Sequence, residues 1–338
     1  MKKVLLAAAG VILVLLLVRP PRSRPPVQVS RLALSTVVTM KVYAGEEEAR
    51  PLIDRAFAEI ARIDTVMSRH LVDSEVNRVT VQAWSGLAEC SPELALVLER
   101  SQWFAGLSGG AFDVTVGALT RLWGFPDAVA PPAPGQVDSA RALTGYRELT
   151  LEGRRLHLAR PGITLDLGGV AKGYAVDRAV AVLQAGGIAA GLVDAGGNIR
   201  YFGTKPDGRP WSTGIQHPRQ TDGILIATVE GVDLPAVATS GDYQQYFDLD
   251  GRRYHHLLDP ATGYPTQGVV SATAWATTAM EADILSTTLF VLGPERGIAL
   301  ADSLESVEAL VILAEGDHLR SLATPGVTGR YRFLNSDI

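Results

Sequence analysis

One stretch near the C-terminal end, MEADILSTTLF (Met280–Phe290), constrains the fold more than any other. Set on a helix at roughly 100° per residue, its apolar side chains point all around the axis. Met280, Ile284 and Val291 fall on one side, Leu285, Leu289 and Leu292 on another, and Phe290 on a third. A helix that is apolar on every side is a buried helix. Yet Asp283 and Thr287 sit within it as i,i+4 neighbours, with their oxygens close together. A carboxylate taken out of water needs a partner. Three readings stand at this point: an ion pair with Lys or Arg, a hard divalent cation taking oxygen ligands, or Thr287 simply bonding back to a carbonyl.

The chain has 338 residues, 47% hydrophobic and 20% charged, which is ordinary for a globular protein. A net charge of -5 implies no general affinity for nucleic acid. The single cysteine, Cys90, rules out an internal disulfide and any cysteine-built zinc or iron–sulfur site. At the N-terminus a basic MKK precedes an apolar run, Val4–Val18, and then RPPRSRPP. This is the pattern of an export signal or short signal-anchor followed by a stiff linker, assigned to residues 1–26. The run is shorter than the roughly 20 residues of a comfortable membrane helix, and no small-x-small cleavage site follows it.

From residue 27 to 338 a single folded domain is expected. VSRLALSTVVTMKVYA (29–44) alternates like a strand, and residues 47–70 form an amphipathic helix. A further helix has Ser91 as N-cap, Glu93 in its first turn and Gly109 as its stop. Pro126–Gln136 is a Pro-rich loop. A hairpin turns at Glu152–Gly153, and GITLDLGGVAKGYAVDRA reads as strand, Gly turn and helix. Strands follow in the stretches Ala189–Gly203, Trp211–Pro218, Gly223–Gly241, Arg252–Pro265, which ends in a turn, and Ser271–Thr278. Helices and hairpin-like strands are mixed without a βαβ rhythm. That favours an α+β fold of mixed, largely antiparallel sheets with packed helices over a doubly wound α/β fold.

Three more stretches carry candidate chemistry. The Gly168–Gly169 turn opens a helix with free backbone N–H groups, as phosphate sites do, although it matches neither the Walker nor the GxGxxG pattern. An ordinary turn explains it equally. Lys172 places a cation where the helix dipole disfavours one; it either meets an anion or is solvated. In HHLLDPATG the adjacent His255 and His256 point to opposite faces, one toward the core or a cleft and one toward solvent. Phe112, Trp123 and Phe125 either sandwich a planar ring or belong to the core.

Taken together, seven segments resemble one family in its order: the FAD:protein FMN transferases, or ApbE family. They are MSRHLVDSEVNRV (67–79), GGAFDVTVGALTRLWGF (109–125), DLGGVAKGYAVDRA (166–179), LVDAGGNIRYFG (192–203), VATSGDYQQYF (237–247), HLLDPATGYP (256–265) and EADILSTTLFVLG (281–293). The resemblance implies Mg²⁺-dependent transfer of FMN from FAD to a threonine hydroxyl of a target protein, with AMP released. It implies metal ligation by Asp283, Thr287 and the carbonyl of Ala171, and His256, not His255, as the base. It implies flavin-nucleotide contacts at Met67, Ala111, Phe112, Asp113, Asp166, Lys172 and Leu257. It also implies acceptor flavoprotein subunits of membrane electron-transfer complexes as partners, on the periplasmic face of the inner membrane. Two departures stand out. The cysteine of lipoprotein members is missing after the signal, and Lys172 stands where some members carry an acid. Two rival activities share these segments: a Mg²⁺-dependent FAD pyrophosphatase, and an FAD-binding protein without turnover.

Overall fold

The computed structural model describes residues 25–220, 223–316 and 318–334. The export or anchor segment expected at the N-terminus lies, up to residue 24, outside the described residues. Among the described residues no helix is long and apolar enough to cross a membrane.

The chain begins with β1 (Val27–Ala33), β2 (Thr36–Val42), α1 (Glu46–Met67), α2 (Glu75–Ala83), β3 (Ala88–Glu89), α3 (Pro92–Ser108), α4 (Gly117–Trp123) and α5 (Pro134–Arg141). Then come β4 (Leu149–Glu152), β5 (Arg155–Leu158), α6 (Ala171–Ala185), β6 (Gly191–Ala195), β7 (Asn198–Phe202), β8 (Ser212–Gln216), β9 (Leu225–Glu230) and β10 (Ala236–Gly241). The last part holds β11 (Tyr246–Leu249), β12 (Arg252–His255), β13 (Val269–Ala276), α7 (Ala279–Leu292), α8 (Pro294–Asp302), β14 (Glu308–Glu315), β15 (His318–Ala323) and β16 (Tyr331–Phe333).

Eight strands form the main sheet in the order β1-β2-β6-β7-β10-β13-β14-β15, every neighbouring pair antiparallel. Its middle is covered on both faces. All eight residues of β13 are buried. Ala272, Ala274 and Ala276 join the helix-side core, while Trp275 joins the opposite core with Ile215, Ile226 and Val229 of the small β8–β9–β16 sheet. The alanines let α7 lie close on β10 and β13. This is the burial that its all-round apolar surface demanded, and Ile284, Leu285, Leu289 and Phe290 are fully buried. α6 fills the layer between α7 and α1, whose apolar stripe runs from Ala49 through Ile53, Ile60 and Ile63 to Met67. The architecture is the expected α+β fold.

Three local expectations are corrected. Residues 29–44 form a hairpin, β1–β2, and not one strand. Its turn is made by Leu34 (φ 52) and Ser35 (φ 58), both in left-handed backbone that normally calls for Gly or Asn, so the sequence carried no turn signal. The strand expected at 163–167 is reduced to one parallel bridge between Thr164 and Val116. There Asp166 N–H donates to the Val114 carbonyl at 2.8 Å and Gly117 N–H to Thr164 at 3.1 Å, leaving the segment laced to a loop. The Pro-rich loop ends early: Pro134 opens α5, and the Gln136 side chain accepts the Ala133 N–H at 3.1 Å.

Candidate active site

The Gly-Gly turn before α6 is held by Asp166. One carboxylate oxygen accepts the Gly168 N–H at 2.9 Å, and the other pairs with Arg69 at 2.9 Å. Gly169 is closely packed: a Cβ there would lie 3.1 Å from the Phe112 ring and 3.3 Å from Thr287 Oγ1. The turn therefore presses directly on α7. Lys172 folds back, its Nζ donating to the Gly168 carbonyl at 2.8 Å and lying 3.6 Å from Asp283 Oδ1.

The partners of the buried carboxylate are thereby identified. Asp283 Oδ2 accepts the backbone N–H of Gly173, in the first turn of α6, at 3.0 Å, and Lys172 supplies the countercharge. Burial pushes the Asp283 pKa up, and the Lys172 charge and the Gly173 N–H oppose it. Thr287 lies one turn along α7, its hydroxyl 3.3 Å from Ser240 Oγ on β10, and Ser240 also meets Ser286 at 2.9 Å. Ala171, Asp283 and Thr287 all line one cleft. Among the described residues no cluster of three His, Cys, Asp or Glu side chains exists to hold a metal. The donors on offer are one carboxylate, one hydroxyl and one carbonyl. Such a partial oxygen set suits a Mg²⁺-like ion that takes its other ligands from water and substrate phosphates. The residues fit the group, with Lys172 competing for the same carboxylate.

The two histidines part company because β12 ends at His255, so strand alternation no longer governs His256. His255 is buried; its Nε2 is 2.8 Å from the Thr266 carbonyl and its Nδ1 accepts the Leu257 N–H at 3.3 Å, which fixes its tautomer. Its ring meets Phe290 edge-on at 5.4 Å. His256 lines the cleft and is only partly exposed, not turned to open solvent. Among the described residues its buried Nδ1 has no hydrogen-bond partner, and burial, with His255 and Lys172 adding to it, holds its pKa down to about 4. The imidazole is neutral at pH 7.

Ala111, Phe112 and Asp113 line the same cleft. The Phe112 N–H donates to Ser108 Oγ at 3.1 Å, and Asp113 Oδ1 accepts both the N–H and the hydroxyl of Thr115 at 2.8 and 2.7 Å. Burial raises the Asp113 pKa against those bonds. Met67, at the end of α1, and Leu257 complete the wall. All eleven site residues implied by the family resemblance thus line one cleft of about 1080 Å³. Of the aromatic trio, Phe112 and Phe125 line it. Trp123 does not: it is buried, bonded to the Gly263 carbonyl at 2.8 Å and stacked on Phe125 and Tyr254 in a satellite core. Sequence reasoning gave no role to Arg69, Ser240 or Asn198, which also line the cleft. Each lies inside a segment quoted above, and that was the only signal.

The family model for ApbE matches residues 34–311. The chain belongs to the ApbE family. Among curated ApbE-family relatives it is similar to an FAD:protein FMN transferase of Vibrio cholerae, 38% identical over 278 residues, covering 80% of this chain and 81% of that one. The same name is borne by a Treponema pallidum protein 34% identical over 327 residues, covering 91% and 89%. Among solved structures, the ApbE protein of Thermotoga maritima superposes with a TM-score of 0.81 at 32% identity, covering 91% of this chain and 99% of that one. The flavin transferase ApbE of Vibrio cholerae gives 0.78 at 33%, covering 92% and 100%.

Proposed function

We propose that this chain is an FAD:protein FMN transferase that moves FMN from FAD onto a threonine hydroxyl of a target protein and releases AMP. The observation that carries the reading is one cleft, roomy enough for a dinucleotide, in which a neutral histidine, a carboxylate–hydroxyl pair and a helix N-terminus converge. The family's relatives support the chemistry by name.

In this mechanism the threonine oxygen attacks the phosphorus of the FMN half. A new P–O bond forms, the pyrophosphate P–O bond breaks, and AMP departs with the electron pair. His256 takes the threonine's proton as the attack develops, an effect worth about 10²–10⁴-fold in rate. Its low proton affinity in the empty cleft keeps it unprotonated, and the arriving negative charge of the pyrophosphate raises that affinity. Lys172 offers a second cation to the phosphates. Asp283, Thr287 and the Ala171 carbonyl would hold a Mg²⁺ ion, which would supply positive charge to offset that of the pyrophosphate. Phe112, Met67 and Leu257 supply apolar surface for the flavin nucleotide, while Ala111, Asp113 and Asp166 border it.

The N-terminal segment supports export and a place on the periplasmic face of the membrane, where flavoprotein subunits of electron-transfer complexes are the acceptors. The test is to incubate the detergent-purified full chain with FAD, Mg²⁺ and an acceptor protein, with and without chelator. Flavin fluorescence on the denatured acceptor, lost with chelator, is the expected result. Free FMN and AMP with no labelled protein, with or without acceptor, indicates the pyrophosphatase instead. FAD binding with no turnover under any divalent metal indicates the storage protein.

A further inference from the structure

Asn198 opens β7 and is 3% exposed, yet it lines the cleft. Its Nδ2 reaches the Ala195 carbonyl at 3.4 Å, while its Oδ1 has no hydrogen-bond partner among the described residues. Exchanging the two ends of the amide would set oxygen against the Ala195 oxygen, so the acceptor belongs on the unpartnered side. The side chain is anchored and has no easy way to find a donor elsewhere. The turn before it is rigid: Gly196 (φ +62) lies so close to Thr36 that a Cβ would come within 2.4 Å of Oγ1, and the Gly197 N–H donates to Asp194 at 2.9 Å. A buried acceptor left without a donor is unfavourable, and one kept at the wall of a cleft calls for a donor from a ligand.

Its place in the sheet narrows the donor. Asn198 pairs with Ala238 of β10, and Ser240, two residues along the same strand face, is 3.3 Å from Thr287 Oγ1. Diagonal neighbours of this kind lie roughly 7–8 Å apart. Asn198 thus lies one diagonal step from the Ser240–Thr287 contact, on the part of the cleft wall where the reading above puts the phosphates. Phosphate oxygens carry no proton at neutral pH. Among the groups that the substrates themselves bring, the donors beside the phosphates are hydroxyls.

We infer that Asn198 is a further substrate-binding residue, its carboxamide oxygen accepting a hydrogen bond from a hydroxyl that flanks the pyrophosphate. The inference rests on the transferase reading above. Two sources share this chemistry: the polyol hydroxyls of the dinucleotide, and the threonine hydroxyl of the acceptor protein.

The test uses the full chain carrying Asn198→Leu, which keeps the shape and removes the acceptor, with Asn198→Ala as the second variant. Loss of one such bond corresponds to about a 10-fold weakening. If the source is the nucleotide, the FAD Kd, read by flavin fluorescence, rises about 10-fold and the FAD-induced gain in Tm shrinks. If the source is the acceptor, the FAD Kd holds and KM for the acceptor protein rises by that factor. In either case Tm without FAD is expected to stay close to that of wild type, because the unsatisfied acceptor is removed together with the long Nδ2–Ala195 bond. Kd and KM both within about 2-fold of wild type, or misfolding of both variants, would overturn the assignment. Wild-type protein that binds FAD but transfers nothing would sink the transferase reading while leaving the nucleotide arm intact. Wild-type protein that binds no FAD would sink both.

Discussion

Asp177 and Asp283 cap each other's helices. Asp283, on α7, accepts the Gly173 N–H of α6 at 3.0 Å, while Asp177, on α6, accepts the Ala279 and Met280 N–H groups of α7, both at 2.9 Å. Burial raises the pKa of both carboxyls, and Arg200 and Lys172 supply the opposing cations. The exchange locks the two N-termini together beside the cleft, where both helix dipoles favour negative charge. It also gives Asp283 a structural duty alongside the metal-holding role proposed for it, and the two can be separated by mutation.

Asp283→Asn keeps an acceptor for the Gly173 N–H and removes the charge. Its stability is expected to stay within about 1 kcal/mol of wild type, since a costly buried charge goes with the lost ion pair. Asp283→Ala also loses the cap, at about 1 kcal/mol. Both are expected to lose metal-dependent transfer. Denaturant unfolding and the transfer assay, run side by side, check this. An Asn variant that retains metal-dependent activity would remove Asp283 from the metal site.

Gly173→Ala is expected to be far more damaging than its size implies. A Cβ there would stand 2.1 Å from the Ala279 carbonyl oxygen, so α6 and α7 must separate. Overpacking of this kind costs about 1–3 kcal/mol or more, and here it also strains both caps. Gly169→Ala meets a 3.3 Å contact with Thr287 Oγ1 and a 3.1 Å contact with Phe112, which small shifts can absorb. The expected order in a thermal melt is wild type, then Gly169→Ala, then Gly173→Ala by a clear margin.

The pattern of MEADILSTTLF foretold a buried helix and posed the partner question, but the answer lay 110 residues away in Gly173 and was tertiary. Ser91 and Gly109 were legible as caps because capping is local: Ser91 accepts the Leu94 N–H at 3.2 Å and Gly109 turns left-handed. The Leu34–Ser35 turn was illegible because neither residue type advertises positive φ. Residues with conspicuous chemistry were legible, and the structure brings them to one cleft. Ser240 and Asn198 were passed over because a hydroxyl or an amide acquires meaning only from what stands opposite it.

Ser240 orients the Thr287 hydroxyl from a neighbouring strand, at 3.3 Å. Groups that steer a ligand in this way typically change metal affinity by about 10–100-fold when removed. The weaker end is expected for Ser240→Ala, because Thr287 keeps its place on α7. The Mg²⁺ concentration giving half-maximal transfer would rise about 10-fold, with the rate at saturating metal nearly kept. An unchanged metal titration would place Ser240 in the core alone.

The pH dependence of stability follows from the two histidines. Unfolded, each protonates near 6.5. Folded, His256 resists protonation down to about 4, and His255 is shifted in the same direction by burial. Between pH 6.5 and 4 the unfolded chain therefore binds protons that the folded chain refuses. Stability is full above pH 6.5 and drains away as pH falls toward 4. His256→Gln removes one of the two contributions, so its Tm is expected to fall less steeply than that of wild type over this window. His255→Gln flattens the slope too but lowers Tm at every pH, because the Leu257 N–H and Thr266 carbonyl lose the ring nitrogens that hold them. Melts recorded by circular dichroism from pH 7.5 to 4.5 distinguish the cases. Parallel slopes for wild type and His256→Gln would show that the ring is not held neutral by burial.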